Sequence, residues 1–174
     1  MTLTVEDARA VLQVASWRDE IGELPSEDLV GLALDAVVAG LDGPQLVELA
    51  GADSWDPRDL RDLWQAVLEE QGIARAGEQA ALWQLVRHTA TGVVGGTVDP
   101  ITAAHWMWWP ASDRMEPEGD LRIFIGLASE ADDYPDQRQR IADDIVTECR
   151  VLLARQRPRR WLRLQAADDR VLSL

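Results

Sequence analysis

The chain has 174 residues, 47% of them hydrophobic and 28% charged, which is the composition of a folded globular domain with a real core. Its net charge of −14 sets it against nucleic-acid phosphates and anionic lipid, and it has no apolar run of the roughly 18 residues that a membrane span needs. The single cysteine, Cys149, excludes an internal disulfide and fits a reducing cytoplasm, and the acidic N-terminal segment lacks the basic start of a secretory signal.

The elements read as helices throughout. Residues 5–15 form a short amphipathic start. Ser26 is placed as an N-cap, with Glu27 and Asp28 in the first turn, where the helix dipole favours acids. The following run, Leu29 to Val38, is apolar nearly all round and is expected to be the central, buried helix. Asp42-Gly43-Pro44-Gln45 opens a brief helix with a carboxylate cap.

Asp56-Pro57 is a cap with proline at the first helical position. Leu60, Leu63, Trp64, Val67 and Leu68 then recur at helical spacing, closed by Gly72 and Ile73 in a Schellman-type end. A helix over 77–91 carries Ala80, Trp83, Val86 and Ala90 on one stripe. Gly92–Gly96 lacks the Gly-Lys-Ser/Thr end of a phosphate loop and reads as a glycine-rich connector.

Asp99-Pro100 repeats the cap-plus-proline device and starts a helix that Pro110 is expected to end, leaving Ala111–Gly119 as a polar loop. Residues 120–131 form another helix, with Leu121, Phe124, Ile125 and Ala128 inward. The last long helix runs from Pro135 to about Ala154, with Ile141, Ile145, Cys149 and Leu152 on its core face. The expected fold is all-α: one domain, or two small lobes sharing a core, in a single-domain bundle of six to eight helices over 1–155. Residues 156–174 form an appendage, a small hairpin or an irregular arm, stopped from continuing the helix by Pro158.

Charge is unevenly spread. Residues 1–154 carry 29 acids against 11 arginines, a net of −18, whereas residues 155–174 carry six arginines against two aspartates, a net of +4. The tail, with Trp161 among its arginines, is expected to lie on the acidic body rather than on an external polyanion.

The candidate binding residues are Trp106, Trp108, Trp109, Asp132 and Asp133. Neighbouring helical residues point about 100° apart, so the three tryptophans cannot all face one core. Tryptophan is also enriched in interface hot spots. His88 and His105 lack the further ligands of a zinc site, and Cys149, on an apolar face, reads as an inert core thiol. Glu130 and Asp133, at i and i+3, and Asp144 and Glu148, at i and i+4, form an alternative metal quartet. That layout is similar to the four-carboxylate sites of all-α nucleotide pyrophosphatases, although few basic residues stand near to hold phosphates.

One resemblance rests on Gly96-Thr97-Val98-Asp99-Pro100 with Ala103-Ala104 and Trp106. Leu121, Phe124 and Leu127-Ala128-Ser129-Glu130 with Asp133 and Pro135 continue it, and Ile141 with Asp144-Ile145 ends it. Over roughly residues 57–153 the chain resembles small helical actinobacterial proteins of unknown function, some of them similar to the immunity partners of toxin systems. All 17 Lys-or-Arg positions are arginine, which reads as a GC-rich codon bias of the kind seen in actinobacteria. The resemblance implies no catalytic residues. The leading expectation is therefore a cytoplasmic protein that binds a basic protein partner and uses no cofactor, nucleic acid or membrane. A metal-dependent hydrolase on the helix carboxylates is the alternative, followed by a small-molecule binder walled by the tryptophans.

Overall fold

A computed structural model describes residues 3–52, 56–114 and 121–155, apart from the side chains of 109–114. Among these residues the chain is all-α, with eight α-helices, one 3-10 turn and no strand. It divides into two compact units, Met1–Leu85 and Val86–Leu174, whose boundary falls inside the fifth helix.

The first unit begins with α1, Val5–Glu20, five residues longer than its periodicity suggests. Thr4 and Asp7 form a capping box: the Thr4 hydroxyl accepts from the Asp7 N–H at 3.2 Å, and the Asp7 carboxylate accepts from the Thr4 N–H at 3.1 Å. In α2, Ser26–Val38, the expected cap is displaced by one position. Pro25, in extended backbone, is the N-cap and makes no side-chain cap bond, while Ser26 is buried in the first turn.

Helix α2 packs against α1, α3 (Pro44–Ala50) and α4 (Pro57–Glu70), so it is the centre of its unit. It is not buried all round. Leu29, Ala33 and Ala36 are enclosed, but Leu34 and Val38 face outward, because its neighbours cover one side only.

The start of α3 is also built differently from its sequence signature. Asp42 accepts from the N–H of Gly43 and caps nothing further. The first-turn N–H groups of Gln45 and Leu46 donate instead to the carboxylate of Glu70, at the end of α4, each at 3.1 Å. This tertiary cap requires Gly43, since a Cβ there would stand 2.1 Å from Glu70 Oε2.

Helix α4 follows its pattern. Asp56 accepts from the Arg58 N–H at 2.8 Å, and all five of Leu60, Leu63, Trp64, Val67 and Leu68 are buried. Gly72 takes a positive φ of 65°, and the Ile73 N–H bonds the Leu68 carbonyl at 2.8 Å, closing the Schellman end. Beyond it the Glu20 carboxylate accepts the N–H groups of Ala76 and Gly77 at 3.0 and 2.5 Å. The first part of α5 (Glu78–Val94) contributes Ala81, Leu82, Trp83 and Leu85 to the buried set, with Ala80 only partly covered.

In the second unit, Val86, Ala90 and Val93 of α5 are buried. The connector turns back onto Gly92, whose carbonyl accepts from Thr97 and Val98 at 2.9 and 3.2 Å. A Cβ on Gly92 would meet Val98 Cγ2 at 2.5 Å.

Helix α6, Pro100–Arg114, is capped by Asp99, whose carboxylate takes both the N–H and the hydroxyl of Thr102 at 2.8 Å. It does not stop at Pro110. A proline lacks one N–H, but the residues beyond it still have theirs, and four more residues remain helical. Of the expected polar loop, 111–114 is therefore helix and 115–119 lies outside the described residues.

Helix α7, Arg122–Asp133, buries Phe124, Leu127, Ala128 and Ala131, with Ile125 half-buried. A 3-10 turn, Pro135–Gln137, then leads into α8, Arg138–Ala154, which buries Ile141, Ile145, Cys149 and Leu152. Helices α6, α7 and α8 pack on one another. Burial, with Glu148 adding, pushes the Cys149 thiol up to about 11, which keeps it protonated and inert. No helix among the described residues is long and apolar enough to cross a membrane. The tail from 156 to 174, with Pro158, Trp161 and the expected hairpin or arm, lies outside the described residues.

Candidate functional site

Ile101, Ala103, Ala104 and Met107 face the interior from α6, which leaves His105, Trp106 and Trp108 half-buried along its sides. Met107 takes the core position within the tryptophan cluster, in keeping with the angular argument above. The side chain of Trp109 lies outside the described residues.

His105 is fixed from two directions. Its Nδ1 lies 2.9 Å from the carbonyl oxygen of Ile101, one turn earlier, and its Nε2 lies 3.1 Å from Oδ2 of Asp132 on α7. Both partners are acceptors, so the ring satisfies both only when each nitrogen carries a proton. The hydrogen bond to Asp132, and then that to Ile101, raise the His105 pKa above its ordinary value, while partial burial and Arg138 oppose the shift. In that doubly protonated form the ring has both N–H groups committed and no lone pair for taking a proton from a substrate. It ties α6 to the end of α7.

That end of α7 is electrostatically unfavourable. The helix C-terminus carries partial negative charge and prefers cations, yet its last turn holds Glu130, Asp132 and Asp133 and no basic residue. His105 answers Asp132, and Arg140 from α8 answers Glu130. Asp133 is exposed and has no ion-pair partner among the described residues. Tyr134 follows it, half of its surface open to solvent, with its backbone N–H fixed to the Glu130 carbonyl at 2.9 Å.

Two members of the alternative quartet of Glu130, Asp133, Asp144 and Glu148 are held by a cation of the chain's own. Arg140 donates to Glu130, to Asp144 at 2.9 Å and to the side chain of Gln137. Glu130 and Asp144 thus meet across a guanidinium. Among the described residues, no three His, Cys, Asp or Glu side chains are grouped to hold a metal ion.

Asp132 and Asp133 are legible in the sequence as candidates, whereas the pairing of His105 with Asp132 is not. The pair spans 27 residues, and its only local signal is that His105 stands four residues after a helical carbonyl it can reach. Neither known protein families, curated sequences nor solved structures give a match to the chain.

Proposed function

We propose that this chain acts by binding another protein, as an acidic helical partner of a basic protein in the cytoplasm, of the immunity or inhibitory kind that the resemblance over 57–153 implies. The observation that carries this reading is the last turn of α7, where Asp133 stands uncompensated against the helix dipole beside the exposed ring of Tyr134. A cation from a partner would complete the charge arrangement that His105 and Arg140 begin, and a tyrosine is a common interface anchor. The body's negative charge would speed encounter with a basic protein and discourage acidic ones.

The metal-dependent hydrolase is less well supported, because Arg140 stands between two of its four carboxylates. The half-buried Trp106 and Trp108 leave the small-molecule reading as a further alternative.

The test is affinity capture from host lysate, followed by binding measurements between the purified pair at low and high salt. A basic partner whose affinity falls with salt, and falls again in a D133N/Y134A variant, is the expected result. A partner that binds independently of salt and of both substitutions would overturn the reading. So would a saturable Mg²⁺ shift in melting temperature lost in E130Q/D144N, which would put the hydrolase ahead.

A further inference from the structure

The outward face of α2 combines two features that the free fold does not explain. Leu34 and Val38, at i and i+4, are 50% and 71% exposed. Gly31 lies on the same side, in mid-helix, with no positive φ to require glycine and no atom within 4 Å of where its Cβ would stand. Glycine weakens a helix interior, and here neither backbone nor packing makes use of it. It does leave room for an incoming side chain beside Leu34.

The sequence around this face is acidic, and Arg61 of α4, which reaches the Leu24 carbonyl, is paired with Asp19. Between Arg18 and Arg58 the sequence contains no arginine, lysine or histidine, and it contains ten acids. Glu27, Asp28 and Asp35 are exposed on α2 itself, and Val47 and Glu48 are exposed on the adjoining α3. The C-terminal end of α2, next to Val38, adds the negative pole of the helix and has no basic residue in its last turn. Two nearby arginines of α1 are engaged elsewhere, Arg9 on the Gln71 carbonyl and Arg18 on the Glu23 carbonyl.

We propose that Gly31, Leu34 and Val38, with Glu27, Asp28 and Asp35 beside them, form a docking surface for an amphipathic protein segment whose apolar side chains are flanked by arginine or lysine. Charge complementarity selects this occupant. A second copy of the chain would set the acids of one α2 against those of the other. A purely cationic segment would leave Leu34 and Val38 uncovered. The helix-in-groove mode, with anchors spaced at i, i+3 and i+4, fits a strip of this kind. This surface is separate from the last turn of α7 and is tested separately.

The probe is a labelled synthetic helix with leucines on one face and arginines on its flanks, titrated against the full chain by fluorescence anisotropy. Two control peptides replace its arginines by glutamate or its leucines by serine. The first peptide should bind saturably and both controls at least tenfold more weakly. L34Q/V38Q should lose at least tenfold in affinity with an unchanged circular dichroism spectrum. G31W, placed where no atom stands nearby, should block binding without unfolding the helix. D133N/Y134A should leave this binding unaltered even if it abolishes capture of a basic protein. Equal binding of the leucine-free peptide, or full binding by L34Q/V38Q, overturns the proposal. A concentration-dependent dimer that L34Q/V38Q dissociates also overturns it, by assigning the surface to a second copy, and so does a tenfold gain in peptide affinity on deleting residues 156–174, by assigning it to the chain's own arginine-rich tail.

Discussion

Nε2 of His105 lies 3.1 Å from Oδ2 of Asp132, and this bond joins α6 to the last turn of α7. It gives the second unit a pH dependence of known sign. The folded-state pKa of His105 is raised above 6.5 by Asp132 and then by the Ile101 carbonyl. Its stabilisation is therefore complete below the unfolded value of about 6.5 and is lost as pH rises through the higher folded value.

Melting temperature should accordingly decline in the wild type as pH rises above about 6.5 and decline less in H105Q or D132N. The pair is open to water, so the effect should not exceed about 1 kcal/mol. Nuclear magnetic resonance should show the His105 titration midpoint falling in D132N. An unchanged midpoint would remove Asp132 as the cause. The capped Asp7 and Asp99 do not confound this window. Their pKa values are lowered, so their contribution is lost only in acid, below the ordinary 3.8.

G43A should destabilise the first unit by about 0.5–2 kcal/mol, the usual worth of a helix cap. The Glu70 side chain is flexible and would swing away from the new methyl, giving up its bonds to Gln45 and Leu46. E70A should cost a similar amount by removing the same bonds. G43A also places a side chain at a φ of 158°, a strain that E70A does not relieve, so the G43A/E70A double variant should cost less than the sum of the two singles but more than E70A alone. Fully additive losses in denaturant titrations would show that Gly43 and Glu70 are not coupled.

P110A should stabilise the protein. Pro110 stands inside a helix that continues to Arg114, and an interior proline costs about 3 kcal/mol relative to alanine. Recovery of part of that, on the order of 1–3 kcal/mol, would raise the melting temperature and slow amide exchange around α6. A lower melting temperature would mean that the proline is needed where it stands.

The features legible in the sequence are those fixed by residues close together along the chain. The Asp56-Pro57 start and Gly72-Ile73 end of α4, the Asp99-Pro100 start of α6 and the buried stripes of α4 and α8 are set by local hydrogen bonding and helical periodicity. Periodicity identifies the apolar face of a helix but not how much of it a neighbour covers, which is why α2 reads as enclosed while Leu34 and Val38 stand outside. Capping signatures identify a helix start but not which group supplies the bonds, so Asp42 reads as the cap that Glu70 provides. The same limit applies at the candidate site. The acids of α7 are visible in sequence, but their pairing with His105 and Arg140 depends on the packing of α6, α7 and α8. Charge and hydrogen-bond energies fall steeply with separation, and only tertiary packing brought residues 10 and 27 positions apart within reach.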